Sequence, residues 1–346
     1  MKESTKKVLN IGFIVLTIGI LVYIILTTVD PQDMVRTFHN LRWRWIAGCL
    51  FCILSYYAID ALGTFLYLRG ENYSVSYGAS LHVSLIGAYY SSLTPGASGG
   101  QPMQVYQMNK NGVPVGIGTS AVSIKLFFTQ LGTVAVALCL WLLNQQFFAE
   151  QLVGVKFFII LGLVINSAVL PIVVLAALNQ KLINKIFLFF LTLGEKIRLV
   201  RNREKAEKKL LGILDSFHKS SSGAFSSFSA IAEQGLCGAL QMFFYMGIGF
   251  CVYKAFGLTG IPWYQILLVS YMVFISASFM PLPGGSGAQE GGFYAYYKGI
   301  YPDNIITLAL FVWRFFTFYF TLIIGTFVTV FSGGFGKKKK RELVEG

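Results

Sequence analysis

The sequence predicts an all-α polytopic membrane protein, an inverted-topology repeat with about six full transmembrane helices and two re-entrant half-helix hairpins. Three observations lead to this prediction. The 346 residues are 55% hydrophobic and 12% charged, with a mean hydropathy of +0.63, whereas soluble domains carry about 25% charged residues. Apolar runs long enough to cross a bilayer recur along the chain. One glycine-rich segment occurs twice, which indicates an internal repeat.

The apolar runs account for the predicted membrane helices. Six of them are long enough for full spans: 8–28, 45–66, 115–143, 155–178, 234–256 and 305–331. Two further runs, 77–93 and 264–281, lead directly into the glycine-rich segments. The first run is too long for a typical cleaved signal peptide, so we expect it to be a retained helix.

The repeated segment reads PGASGGQ over 95–101 and PGGSGAQ over 283–289, an offset of 188 positions. The same offset places run 45–66 on 233–254 and run 115–143 on 303–331. We therefore predict a single membrane domain over 1–346, with a first repeat over 45–143 and a second over 233–331. Such repeats in transporters place the substrate site near the midplane, at broken helices.

The net charge of +13 predicts how the chain is oriented. Basic residues cluster before the first run, in the linker 179–230, which holds ten Lys and Arg against four acids, and in the tail 337–346. The positive-inside rule places both termini and the linker in the cytoplasm. Because these clusters lie beside membrane spans, we expect them to face anionic lipid headgroups and not nucleic acid.

The number of membrane crossings leads to the prediction of two re-entrant hairpins. With the N-terminus inside, the six full spans cross outward and back three times, so 77–109 and 264–300 make no net crossing. Each is then a re-entrant hairpin of two half-helices, and run 45–66 is antiparallel to its counterpart near 233–254, which makes the repeats inverted. A topology in which each hairpin spans the membrane twice has the same end points. Arg36, Arg42 and Arg44 lie in the predicted outer loop, against the charge rule.

The repeated segment has the chemistry of an anion site. Pro95 and Pro283 break the incoming helix, and the glycines after them permit a positive φ and close approach of a ligand. A half-helix that starts at the serine has free amides and a positive dipole end, which suits phosphate. The alternative is a turn that the serine caps. The candidate substrate-binding residues here are Pro95, Gly96, Ser98, Gly99 and Gln101 with Pro283, Gly284, Gly285, Ser286, Gly287, Gln289 and Glu290.

Charged residues within the spans add to this candidate site, because they are costly in a membrane and mark pathways. Lys125 and Arg314 each lie deep in a predicted span, at nearly equivalent repeat positions. Both can neutralise a lipid phosphate, and Arg can do so bidentately. Glu290 either holds Arg314 in place or receives a cationic headgroup. Asp60 either pairs with Lys125 or lines the cavity.

No arrangement of residues indicates catalysis. Three histidines form no metal-ligand cluster, and there is no Walker-type loop. We therefore predict no catalytic residues, no metal and no cofactor. Cys49 and Cys52 form a C-x-x-C within an apolar run. Without a second pair or a histidine cluster, they are predicted to be packing residues.

At the two glycine-rich segments the chain resembles the lysylphosphatidylglycerol synthase transmembrane-region family, the membrane part of the bacterial multiple peptide resistance factor. The resemblance rests on 283–290, which includes Glu290, on 95–101 and on the order of the spans, and it covers roughly residues 8–335. It implies a flippase that moves an anionic or aminoacylated phospholipid, such as lysyl-phosphatidylglycerol, between the leaflets of a bacterial cytoplasmic membrane, and so gives resistance to cationic antimicrobial peptides.

In full-length relatives a separate soluble domain makes the lipid. This chain ends after the basic tail, so we expect no such transferase activity from it. The alternative function is the membrane component of a phosphatidylglycerol lysyltransferase or another lipid-modifying transferase that acts with a separate catalytic domain. The partners to consider are therefore a phospholipid substrate, a separate lipid-modifying enzyme and a second copy of the chain.

Overall fold

The computed structural model describes residues 40–196, 203–278, 280 and 282–331. Most of these residues are helical, and there is no β-strand among them. The helices are α1 (Trp43–Gly70), α2 (Tyr77–Leu93), α3 (Gly100–Lys110), α4 (Val115–Leu143), α5 (Gln145–Gln151), α6 (Lys156–Leu178), α7 (Gln180–Lys196), α8 (Arg203–Ser226), α9 (Phe228–Ala255), α10 (Trp263–Ala277), α11 (Ala288–Tyr297), α12 (Ile306–Arg314) and α13 (Phe320–Phe331). A π-helical stretch, Phe315–Tyr319, joins α12 to α13.

Five helices are long and apolar enough to cross a membrane: α1, α4, α6, α9 and the continuous span Ile306–Val330. They match five of the six predicted full spans and confirm an all-α polytopic membrane protein. The sixth predicted span, 8–28, lies outside the described residues, as does the tail 337–346.

Each glycine-rich segment lies between two shorter helices, as predicted. α2 and α3 flank the turn Pro95–Ala97, and α10 and α11 flank the turn Pro283–Gly285. The two arms of each pair contact each other. With 10 to 17 residues each, the arms are about 15 to 26 Å long, shorter than the bilayer core of about 30 Å. These lengths fit half-helices, while re-entrance itself stays a prediction.

α1 and α9, which the 188-residue offset relates, pack against each other. They run antiparallel, because the backbone of Arg42, before α1, bonds to Ala255 at the end of α9, while Gln234 near the start of α9 bonds to Gly63 near the end of α1. Cys49 and Cys52 are buried in this contact, and Cys52 Sγ lies 4.0 Å from Cys251 Sγ.

α10 is the innermost arm. Its residues from Ile266 to Ala277 are almost all buried, and it packs on α6, α9 and α11. Glycine allows this close packing, since a Cβ at Gly162 of α6 would overlap the backbone of Ile275. Small residues at helix interfaces serve this purpose in membranes, where helices gain little from the hydrophobic effect.

The predicted basic linker 179–230 is mostly helical. α7 begins two residues after α6 ends and is strongly amphipathic. It packs on α8 and α6 and leaves one apolar face exposed, formed by Leu182, Ile186, Phe189, Phe190 and Leu193. α8 packs mainly on α4. The linker therefore forms part of the folded body.

Candidate functional site

A cavity of about 510 Å³ lies between the two hairpins, within the range of about 300 to 1,000 Å³ typical of ligand sites. Each of the five candidate membrane spans contributes residues from its middle. The midpoint of Trp43–Gly70 falls at 56 and 57, and that of Phe228–Ala255 at 241 and 242. The mid-helix residues that line the cavity include Tyr56, Tyr57, Lys125, Thr129, Asn166, Gln241, Met242, Thr317 and Phe318. The cavity is therefore level with the centre of the spans.

The two residues that follow the proline have the same backbone conformation in both glycine-rich turns, and the two turns contact each other. Gly96 has φ 59° and Gly284 has φ 60°, and the next residues, Ala97 and Gly285, follow at 56° and 62°. This left-handed region suits glycine, and Ala97 adopts it at a steric cost. The sequence repeat is thus also a repeat of backbone geometry.

The serines of the motif do not cap the half-helices. α3 begins at Gly100 and α11 at Ala288, two residues later than the predicted starts, with Gly99 and Gly287 at the N-cap positions. The hydroxyl of Ser98 donates to the Pro95 carbonyl at 2.9 Å, and that of Ser286 donates to the Pro283 carbonyl at 2.8 Å. The serines therefore close the turns.

The turns diverge after the serines. Gly99 has φ −83°, whereas Gly287 has φ 84°. The Gly99 amide donates to Oγ1 of Thr94 at 2.8 Å, while the Gly287 amide donates to Oε2 of Glu290 at 2.6 Å. In both copies a side chain of the protein already satisfies the N-cap amide, so an incoming phosphate does not find those two donors free.

Arg314 joins the second turn to the last span. Its Nε donates to Oε1 of Glu290 at 2.6 Å, and both terminal nitrogens lie 3.3 Å from the Gly284 carbonyl oxygen. The Arg314 side chain is only 3% exposed, and it lines the cavity, whereas Glu290 does not. Of the two roles considered for Glu290, the structure has it pairing with Arg314.

Lys125 makes the second ion pair of the cavity. Its Nζ donates to Oδ2 of Asp60 at 2.9 Å and to Oγ1 of Thr64 at 3.1 Å. Asp60 both pairs with Lys125 and lines the cavity, so its two predicted roles coexist. Lys125 and Arg314 thus enter one cavity from different repeats, each with a carboxylate partner.

The cavity brings together just over half of the predicted site residues. Those that line it are Asp60, Gly96, Gln101, Lys125, Gly284, Gly285, Gln289 and Arg314. The others build the turns around it: Pro95, Ser98, Gly99, Pro283, Ser286, Gly287 and Glu290. The motif therefore supplies both a scaffold and part of the lining.

Several lining residues were not anticipated. They are the carboxamides Gln104, Gln130, Asn166 and Gln241, the hydroxyl of Ser84, and the rings of Tyr56, Tyr57 and Tyr245. A signal was available for Gln130, Asn166 and Gln241, because a Gln or Asn near the centre of an apolar span is costly unless it meets a polar partner. No such signal singled out the tyrosines, since the chain has 18 of them.

These features define a multi-pass helical membrane protein with a partly polar cavity at mid-span, bounded by two broken-helix turns. The chain belongs to the family described as the lysylphosphatidylglycerol synthase TM region, whose model matches residues 10–325. It is also similar to a UPF0104 membrane protein of Archaeoglobus fulgidus, with 22% identity over 324 residues, which is 91% of this chain and 96% of that relative. The resemblance found at the glycine-rich segments is thereby confirmed.

Proposed function

We propose that the chain moves a phospholipid between the two membrane leaflets, holding the headgroup in the mid-span cavity while the acyl chains stay in the bilayer. The observation that carries this proposal is the position of the cavity, level with the middle of all five candidate membrane spans and lined from both repeats. The charged and carboxamide side chains of a cavity at that depth lower the cost of carrying a polar headgroup through hydrocarbon. The family description adds lysyl-phosphatidylglycerol or a related anionic or aminoacylated lipid as the first substrate to test.

Arg314 is the proposed phosphate ligand. A guanidinium has five N–H donors, and Arg314 directs one to Glu290 and two towards Gly284. Two N–H donors remain, one on each terminal nitrogen, and each can donate a single charge-assisted hydrogen bond to a phosphate in the cavity. Glu290 fixes the guanidinium plane, so that binding needs little reordering of the side chain.

An inverted repeat would give the cavity equivalent routes to both leaflets. Contacts between repeat counterparts support this arrangement. α1 packs antiparallel on its counterpart α9, and the two glycine-rich turns touch. The rings of Tyr56 and Tyr245 lie 5.0 Å apart, and Tyr245 is the counterpart of Tyr57 by the 188-residue offset. Both features suit a pseudo-two-fold axis in the membrane plane.

The orientation proposed with this function has both termini and the segment 179–230 on the cytoplasmic side. The exposed lysines at the start of α7, Lys181 and Lys185, then face the headgroups of that leaflet. Each such lysine contributes about 1 kcal/mol of attraction to anionic lipids. A bacterial cytoplasmic membrane, which is rich in anionic lipid, is the setting that this charge pattern fits.

The test is leaflet exchange in reconstituted vesicles. Purified protein is placed in liposomes with tail-labelled fluorescent phosphatidylglycerol or its lysyl derivative, and dithionite reports the label that reaches the outer leaflet. We expect exchange above empty liposomes for the intact protein and a loss of at least ten-fold in Arg314→Gln. Arg69→Gln, at the exposed end of α1, is the matched control. Absence of exchange in the intact protein would overturn the proposal.

The same preparation tests the alternative function, a role in lipid modification with a separate catalytic partner. Membranes from a deletion strain are assayed for synthesis of the aminoacylated lipid. Synthesis that persists without this chain, together with exchange in vesicles, supports transport. Synthesis that disappears, with no exchange in vesicles, supports the transferase role.

A further inference from the structure

We propose that the cavity selects lipids whose headgroup carries several hydroxyl groups, such as glycerol, inositol or a sugar, over headgroups that carry an ammonium. This inference rests on the proposed transport function and names the headgroup class that the lining best fits. It is argued from the hydrogen-bonding state of the residues that line the cavity.

The charged groups of the lining already have partners. Lys125 and Asp60 pair at 2.9 Å, and Arg314 and Glu290 pair at 2.6 Å. Their side chains are all less than 30% exposed, and removing one partner of such a pair leaves an uncompensated charge in a poorly solvated place. An ammonium on the headgroup would have to displace Lys125 from Asp60 in order to pair with that carboxylate. A hydroxyl-rich headgroup makes no such demand, because its phosphate can use the spare donors of Arg314.

The carboxamides of the lining, by contrast, include a set without partners. Gln101, Gln104 and Gln289 make no side-chain hydrogen bond within the described part of the chain, although all three line the cavity. Gln101 and Gln289 are repeat counterparts, each in the first turn of the half-helix that follows a glycine-rich turn. Gly87 leaves the space that Gln104 fills, since a Cβ there would overlap its side chain.

A carboxamide offers two donors and one acceptor oxygen with two lone pairs. Each carboxamide can therefore donate a hydrogen bond to one hydroxyl of the headgroup and accept one from a neighbouring hydroxyl. Other carboxamides of the lining are already occupied. Gln130 donates to Asn166 at 2.6 Å, Asn166 donates to Ser278 at 2.6 Å, and Gln241 donates to Thr129 at 2.8 Å. The unoccupied ones thus belong to the two arms that follow the turns, one or more from each repeat.

Ser84 supplies a second and independent observation. It lines the cavity from α2, is only 2% exposed, and its Oγ has no hydrogen-bond partner among the described residues. A buried hydroxyl left unpaired has lost its hydrogen bonds to water without gaining others, which is unfavourable. A ligand hydroxyl that reaches Ser84 removes this cost. A ligand without a hydroxyl leaves the cost of the unpaired Ser84 hydroxyl in place.

Sites built to bond a substrate hydroxyl reject analogues that lack it, because their own polar groups stay unpaired. The experiment therefore compares lipids that differ in hydroxyls alone. Tail-labelled phosphatidylglycerol and phosphatidylpropanol have the same charge and nearly the same size, and the second lacks both headgroup hydroxyls. Phosphatidylinositol adds hydroxyls at the same charge, and lysyl-phosphatidylglycerol adds ammonium groups.

In vesicles with the intact protein we expect phosphatidylglycerol and phosphatidylinositol to exchange at least ten-fold faster than phosphatidylpropanol, and faster than lysyl-phosphatidylglycerol. The double variant Gln101→Ala/Gln289→Ala should lower the rate of phosphatidylglycerol relative to that of phosphatidylpropanol, so that the ten-fold ratio between the two rates is lost. Gln107→Ala, on α3 but outside the lining, is the matched control. Size-exclusion chromatography and thermal melting in detergent show whether each variant is folded.

The outcomes separate this inference from the function on which it rests. Equal rates for phosphatidylglycerol and phosphatidylpropanol would overturn hydroxyl selection and leave transport in place. Fastest exchange of lysyl-phosphatidylglycerol would overturn it in favour of an aminoacylated substrate. Exchange of none of the four lipids would overturn transport and the inference together.

Discussion

Glu290 holds Arg314 and the Gly287 amide with its two carboxylate oxygens, both at 2.6 Å. One side chain thus fixes the start of α11 and the position of a cation in the last span. The first turn has Pro102 at the corresponding position, and its N-cap amide bonds to Thr94 instead. The two turns are equivalent in backbone up to Ala97 and Gly285 and differ in what holds them afterwards.

Replacing Arg314 with Lys tests this arrangement. Lys keeps the charge but has one donor nitrogen and no planar fork, so after bonding to Glu290 and Gly284 it has at most one N–H left for a phosphate. We expect lipid exchange to fall at least ten-fold and the melting temperature in detergent to fall as well. Arg69→Lys, at the exposed end of α1, should change neither. A variant Arg314→Lys with normal exchange would mean that charge alone is sufficient.

The Lys125–Asp60 pair is suited to a double-mutant cycle. Lys125→Met leaves the Asp60 carboxylate unpaired in the cavity, and Asp60→Asn leaves the ammonium unpaired. Each change is expected to destabilise the protein by about 3 to 5 kcal/mol. The double variant should cost clearly less than the sum, because neither charge is then left alone. Detergent melting curves measure the three variants. Additive losses would show that the two charges act independently.

The two motif glycines are predicted to differ in their tolerance of alanine. Both have a positive φ, so alanine brings backbone strain of about 1 to 2 kcal/mol at either position. A Cβ at Gly284 would also overlap the ring of Phe318, whereas a Cβ at Gly96 meets no atom within 4 Å. Melting in detergent should therefore show a larger loss for Gly284→Ala than for Gly96→Ala. The loss caused by Gly284→Ala should be smaller in a Phe318→Ala background than in the native protein, because the overlap with the ring is then absent.

The antiparallel packing of α1 and α9 predicts which ends share a side of the membrane. Single cysteines are introduced at Glu71 and Ser229, near the end of α1 and the start of α9, and at Gly260, beyond the end of α9. A charged thiol reagent should label the first two from the cytoplasmic side and the third from outside. Cys139→Ser provides the background, because Cys139 is the exposed native cysteine. Labelling of Glu71→Cys and Ser229→Cys from opposite sides would contradict the predicted topology.

α7 is expected to lie in the plane of the membrane interface. Its apolar face is exposed, lysines flank that face, and it begins two residues after a membrane span ends. Such helices bury the apolar face at the headgroup boundary. In the Cys139→Ser background, Lys185→Cys should react with a charged thiol reagent at least ten-fold faster than Phe190→Cys. Equal reaction rates in vesicles would place the apolar face in water.

The sequence allowed most helices to be predicted because long apolar runs have few alternatives in a bilayer. Val115–Leu143 and Tyr77–Leu93 begin and end where their runs predicted. The segment 179–230 was predicted as a basic linker from its charge, and its two helices, α7 and α8, were not predicted. At the site, Lys125, Asp60 and Arg314 were found since charges within spans are rare. Ser84 and Gln104 were not, because their role depends on how α2 and α3 pack on each other.

The contact between the two glycine-rich turns has a consequence for how such a chain can change over time. A duplicated segment is usually free to diverge once each copy has its own surroundings. Here each copy forms part of the other's surroundings, since Pro95–Ala97 lies against Pro283–Gly285. Substitutions in one copy should therefore alter which substitutions the other tolerates. We therefore expect the two halves to evolve as one coupled unit, in which an exchange accepted in one copy need not be accepted in the other.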